Sequence, residues 1–529
     1  MRDSNLSEAP RRSFNIGWTW LIPALALLST ISYIACTHIH GLLGFPLDDA
    51  WIHQTYARNL AQTGQLAYLP GQPSAGSTSP AWSFLLSAGY LLGLDFRLWV
   101  YLLGGLALAA TAWLTYRLLR RLAPSRPTAA LLAGLFCAVE WHLVWAAVSG
   151  METMLFTALS LALLEYYFSH AAAAHRQSPR GPASLQTERS MVGAVAVGLL
   201  GGMLTLTRPE GLGLTGLVVA APILFPRPAD WSEMKTRLLT SGASLFALGA
   251  ILAPYIAFNL STTGSVFPNT FYAKQVEYQI HLSLLARFWR VFSPTLVGAQ
   301  VLLLPGFCYA VCQLFRQRNW SGALPFAWWL AFLAAYALRL PVSYQHGRYA
   351  MPTIPLLILY GIWGTADLLR PRSRCLVLRV VSQAAPVAMA LLALLFWARG
   401  ALAYGDDVGF IEGEMVATAH WLNKHTAPGD LIAVHDIGAV GYLTDRPLLD
   451  LAGLITSEVI PFMTDAERLA DWMTERGAAY AVFFPNFSST YAQLATDPRF
   501  EQVHCTAYAL TRSLGFQDMC VYRLTPGER

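Results

Sequence analysis

Between residues 16 and 398 the chain alternates long apolar runs with short polar breaks that carry much of the charge. Runs of this kind predict helices that cross a bilayer, because in lipid every backbone N–H and C=O must be satisfied within the helix. Eleven are expected, at 16–36, 98–119, 127–148, 154–169, 191–206, 212–225, 239–260, 296–315, 322–338, 352–369 and 376–398. Several hold only about fifteen residues, short for a hydrocarbon core of ~30 Å. A further apolar stretch, 79–94, reads as an interfacial or re-entrant helix beside the loop that precedes it. From Tyr404 the pattern changes. MVATAHWLNKH and DAERLADWMTERG carry helical periodicity, while LIAVHD, AAYAVFFP, FEQVHCTAYAL and FQDMCVYRL read as strands. The expected architecture is a membrane all-α core of about 11 transmembrane helices over 1–400, with a small C-terminal α/β domain over 401–529.

Composition agrees. The chain is 55% hydrophobic and 13% charged, with mean hydropathy +0.42. Soluble domains carry about twice that charged fraction. The net charge of +5 does not point to nucleic acid, because the basic residues follow topology. Six breaks (1–15, 117–126, 170–190, 226–237, 316–320 and 370–379) hold 19 of the 36 Lys and Arg. The breaks on the opposite side (38–97, 149–153, 207–212, 261–290 and 339–349) hold eight. The positive-inside rule then puts the N-terminus in the cytoplasm and the C-terminal domain outside. The opening RRSFNIG resembles a twin-arginine signal, but the length of the first apolar run and the many that follow argue against cleavage. Seven cysteines show no metal-ligand spacing; Cys505 and Cys520, on two external strands, are placed for a disulfide if the compartment is oxidising.

The chemistry lies on the outer side. The first external loop, 38–97, carries adjacent Asp48 and Asp49, then His53, Tyr56, Arg58 and Asn59. The second has Glu152 in SGMET, after a span bearing Glu140 and His142. The third has Arg208 and Glu210 in LTRPEG; the fourth has Asn269, Tyr272 and Lys274 in GSVFPNTFYAK. The fifth has Tyr344, His346, Arg348 and Tyr349 in SYQHGRYAMP. Carboxylates and cations thus converge from five loops on one face, an arrangement suited to an anionic, lipid-linked substrate. In such a site a carboxylate can take a proton and cations can stabilise a departing phosphate. Arg348, Lys274 and Arg208 are placed to be those cations, and His53, Tyr56, Glu210, Tyr272, Tyr344 and His346 to line the substrate.

PLDDAWIHQTYARNLAQTGQ, SGMETMLF, LTRPEG, FPNTFYAK and HGRYAMPTIP occur in the order seen in bacterial polytopic glycosyltransferases of the GT-C superfamily, and the chain resembles that family over about residues 10–400. It is most similar to the mycobacterial arabinofuranosyltransferases, and more distantly to protein O-mannosyltransferases and aminoarabinose transferases. The resemblance implies a GT-C-like fold in a bacterial cytoplasmic (inner) membrane. It implies a polyprenyl-phosphate sugar donor, a glycan, lipid or protein acceptor of the cell envelope, and transfer with inversion at the outer face. By motif it makes Asp48 or Asp49 the base; Glu152, from the loop residues themselves, is placed with them as catalytic. A divalent cation, Mg²⁺ or Mn²⁺, held by Asp48 and Asp49 stays open, since both offer the oxygen ligands such ions take.

Plainer readings stand beside these. The acidic pair can cap a helix, Glu152 can start one, and Arg208 can snorkel to the interface. His435–Asp436 lacks a nucleophile at suitable spacing, and GAVG at 438–441 reads as a glycine turn because no dinucleotide-binding spacing surrounds it. A transporter or flippase of a lipid-linked sugar is the rival from another class, but it needs charges along a path through the bilayer.

Overall fold

In the computed structural model, residues 16–37, 42–176, 183–225, 227–278, 282–369, 376–513, 515 and 517–525 are described. Residues 1–15, with the arginine pair of the RRSFNIG motif, and 370–375 of the basic break expected at 370–379 lie outside them.

Helices dominate up to residue 425. Among the described residues, five are long and apolar enough to cross a membrane: those within Phe96–Leu122, Ser190–Thr207, Trp231–Thr263, Ala299–Arg316 and Ser382–His425. The chain is a multi-pass membrane protein. The apolar run 127–148 is broken into Pro127–Val139 and Trp141–Val148, bent by 50°. Glu140 causes the break: its backbone is extended and its carboxylate accepts from Leu143 N at 3.0 Å, capping the second piece. The helix expected to lie at the interface spans Pro80–Leu91. At 1.5 Å per residue it is about 18 Å long, too short to cross the hydrocarbon core. Phe84 and Leu91 on it are exposed, while Trp82 and Leu86 are buried.

The last long helix, Leu376–Ile411, continues without a break past residue 400 into the C-terminal domain. A hairpin in the first loop supplies β1 (Ala67–Leu69) and β2 (Gln72–Pro73). The C-terminal domain supplies β3 (Ile432–Val434), β4 (Leu448–Asp450), β5 (Tyr480–Phe483), β6 (Phe500–Cys505) and β7 (Cys520–Leu524). Their order is β4-β3-β5-β7-β6, with β3 parallel to both neighbours and β7 antiparallel to both of its own. Cys505 and Cys520 face each other across β6 and β7 and form a disulfide.

GAVG is not a turn. Its glycines lie in the helix Ile437–Leu443, where a Cβ on Gly438 would collide with Asp48 and one on Gly441 with the Tyr68 hydroxyl. These two glycines let the C-terminal domain dock closely on the first loop, and Tyr68 OH donates to Ile437 O.

Candidate active site

The helix Asp48–Thr63 carries the first part of the site. It starts after extended Leu47, has both acids in its first turn, where the helix dipole favours them, and stops at Gly64 in the left-handed conformation. Successive residues on a helix point about 100° apart, so Asp48 and Asp49 cannot face the same way. Asp49 and His53, one turn apart, line a cavity of about 340 Å³; Asp48 does not. Asp48 turns toward the C-terminal domain, where its carboxylate accepts from Gly438 N (2.6 Å) and Ala439 N (2.8 Å). Burial and the nearby Asp436 raise its pKa to about 7, against the pull of those two amides.

One wall of the cavity is a charge cluster around Asp49. Arg348 Nη2 bonds to Asp49 Oδ2, and Lys274 Nζ lies 3.6 Å from the same oxygen. Burial would raise the Asp49 pKa, but Lys274 and Arg348 hold it well below the usual carboxylate range. Lys274 Nζ also donates to Tyr349 OH at 3.0 Å, and Arg348 Nη2 does so at 3.1 Å. Burial pushes the Tyr349 phenol up, yet the two cations bring it down to about 8. The Arg348 side chain is only 5% exposed, and its Nε and Nη1 have no hydrogen-bond partner among the described residues. A buried guanidinium left half unpaired is costly unless an anion completes it.

Beside this cluster lie Glu152, His53, Arg208, Glu210 and Tyr336, which also line the cavity. Glu152 sits just before the helix Thr153–Arg176, 3.2 Å from His53 Nε2 and 3.3 Å from Arg208 Nη1. Burial would raise Glu152; His53 and Arg208 bring it down to about 2. Arg208 Nη2 lies 3.2 Å from Glu210 Oε1 and donates to Tyr336 OH, which in turn donates to Glu210. Arg208 also lies over the Tyr349 ring, 5.5 Å from its centre, so three cations surround Tyr349. Phe267 and Phe271 form an apolar side of the cavity, and Leu454 of the C-terminal domain closes part of it.

Of the residues expected in the site, Asp49, His53, Glu152, Arg208, Glu210, Lys274 and Arg348 line this cavity. The others do not, and each has a physical reason. Asp48 is held by backbone amides. Tyr56 is buried with its hydroxyl 2.8 Å from Ser74 Oγ and accepting from Gly76 N, so it shapes the loop. Tyr272 is exposed on the outer side of its helix. Tyr344 backs the site through a 3.3 Å hydroxyl contact with Tyr349. His346 turns away to Asp407. Tyr336 enters without warning, as an aromatic at the end of an apolar run offers no signal of its own. Tyr349 sits in a motif already rich in charge, where its neighbour Arg348 was the hint.

The carboxylate pair does not fit a divalent cation. Its two members diverge, Asp48 is committed to amides, and Asp49 is already paired with two cations. Among the described residues no group of three or more His, Cys, Asp or Glu is arranged to hold a metal ion.

A family described as a domain of unknown function, DUF8728, matches residues 407–522. No curated protein matches the chain in sequence. Solved structures do match in shape. ArnT from Cupriavidus metallidurans in the apo state superposes with TM-score 0.60 at 19% identity, over 97% of this chain and 99% of that one. The same protein bound to undecaprenyl phosphate gives 0.60 at 18%, over 97% and 98%. The oligosaccharyltransferase AglB from Archaeoglobus fulgidus, in complex with an inhibitory peptide and a dolichol-phosphate, gives 0.58 at 13%, over 90% and 71%. The architecture of this chain, helical core and C-terminal domain together, is the fold of ArnT and AglB.

Proposed function

We propose that the chain is a membrane glycosyltransferase that takes a sugar from a polyprenyl-phosphate donor and passes it, with inversion, to a cell-envelope glycan, lipid or protein at the outer face of the inner membrane. The observation that carries this is Arg348: buried, aimed at a cavity it shares with Lys274 and Asp49, and half unpartnered among the described residues. A phosphate supplies the oxygens that a planar guanidinium fork accepts best. That structures of the same fold contain undecaprenyl phosphate and dolichol-phosphate supports the donor class.

In this reading the donor phosphate sits at Arg348, Lys274 and Tyr349, and the prenyl chain leaves over Phe267 and Phe271. By drawing the cations to itself, the phosphate loosens their hold on Asp49, whose pKa then rises toward that of a working base. The acceptor oxygen attacks the anomeric carbon, its proton passes to Asp49, and the carbon–oxygen bond to phosphate breaks with its electrons kept by the phosphate. Arg348 and Lys274 stabilise that developing charge. Glu152 fixes His53 and Arg208 beside that corner, where sugar hydroxyls would bind.

Purified chain in lipid nanodiscs, incubated with a panel of prenyl-phosphate sugars, tests the proposal. Acceptor-dependent release of prenyl phosphate supports it. Movement of an intact lipid-linked sugar across vesicles, with no release, would favour the transporter.

A further inference from the structure

The loop that delivers Arg348 to the cavity has an unusual backbone. Gln345 (φ 53°), His346 (φ 58°) and Gly347 (φ 71°) are three consecutive residues in the left-handed region. Glycine suits the third position twice over, since a Cβ there would also come within 2.5 Å of Pro294. Gln345 and His346 have no such excuse. Side chains disfavour this conformation, and it persists only where the surroundings over-determine it. Gln345 is exposed, so its own side chain gives little of the restraint.

His346 supplies it. Its Nε2 lies 2.7 Å from Asp407 Oδ2, and Trp145 Nε1 donates to that same oxygen at 2.9 Å. The imidazole stands edge-on to Trp141 and Trp145, with centroids 5.3 Å from each. Two residues further on, Arg348 N donates back to Gln345 O at 3.2 Å, and its guanidinium reaches Asp49. His346 itself does not line the cavity.

We infer that His346 is a positioning residue: its bond to Asp407 holds the left-handed turn Gln345–Gly347, and the turn sets the Arg348 guanidinium at the phosphate corner of the cavity. Asp407 lies near the end of the helix Leu376–Ile411, where the chain passes into the outer domain. The anchor therefore ties the phosphate site to the seating of that domain. The inference rests on the reading of Arg348 as the phosphate ligand.

The test is binding of undecaprenyl phosphate, without a sugar, to the full-length chain in nanodiscs. Arg348→Ala should weaken binding by about ten- to a hundredfold, as expected for a charge-assisted contact. His346→Ala should weaken it by roughly tenfold, and adding it to Arg348→Ala should weaken binding no further, since both changes remove one interaction. Gln345→Gly, which takes the left-handed conformation without strain, should restore much of the affinity lost in His346→Ala. Should His346→Ala fail to fold, Asp407→Asn reads out the same anchor with little change of shape, and Gln345→Gly should rescue it likewise. Independent, multiplying losses from His346→Ala and Arg348→Ala would overturn the inference, as would wild-type binding by His346→Ala or no rescue by Gln345→Gly. Wild-type binding by Arg348→Ala would instead bring down the phosphate reading, and the positioning role with it.

Discussion

Arg348 bonds to Asp49 across 299 residues of chain, joining the polar break at 339–349 to that at 38–97. In the free protein the pair keeps each group charged in a mostly buried place. In the proposed reaction it is also a switch, because a phosphate that takes over Arg348 releases the carboxylate beside it.

The guanidinium geometry can be separated from its charge. Arg348→Lys should recover part of the donor binding that Arg348→Ala loses, because a point charge attracts phosphate but cannot bind it through a fork. Equilibrium binding of a prenyl-phosphate analogue measures both. Equal losses in the two variants would point to the fork alone, and no loss in either would move the phosphate site to Arg208.

Asp48 gives a pH signature of a different kind. Its pKa is raised to about 7 in the fold, by burial and by Asp436, from an ordinary value of 3.8. A raised pKa means the folded state holds the proton more tightly than the unfolded state. The stabilisation is therefore full below about pH 4 and is lost as pH rises toward 7. Asp48→Asn cannot ionise and lacks this dependence. The melting temperature of wild type minus that of Asp48→Asn should thus fall between pH 4 and pH 7 and flatten above. A difference that rises over that window would contradict the assignment.

Gly438→Ala should lower stability by about 1–3 kcal/mol, because the added methyl collides with Asp48 and overpacked contacts relax only by moving backbone. The drop should appear as a lower melting temperature. A melting temperature like wild type would mean that the C-terminal domain can shift freely on the first loop.

Much of this was legible in the sequence. Long apolar runs mark helices because lipid leaves the backbone no other solution, and the runs at 98–119 and 376–398 both lie within continuous helices. Outer-loop charges mark a site because charge at that depth is costly. The facing of side chains was harder. Asp48 and Asp49 look like a pair on paper, yet the 100° step of a helix sends them to different partners. His346 shares a motif with Arg348, but it lies in the left-handed turn and bonds to Asp407 instead. Strand β4, three residues long, leaves too short a pattern to detect.

Treatment with a chelator should leave turnover unchanged, because the oxygens of Asp48 and Asp49 are committed to amides and to organic cations. Loss of activity on chelation, with recovery on adding Mg²⁺ or Mn²⁺, would show that substrate phosphate completes a metal site with these residues.

The most direct test sets turnover against binding in Asp49→Asn. Asp49 is at once the proposed base and a competitor of phosphate for Arg348 and Lys274. Removing its charge should cut the rate of transfer by about 10²–10⁴-fold, the usual contribution of a general base. Binding of the prenyl-phosphate analogue should stay equal or grow tighter, because both cations are freed. Turnover near wild type, or binding lost together with turnover, would contradict the account.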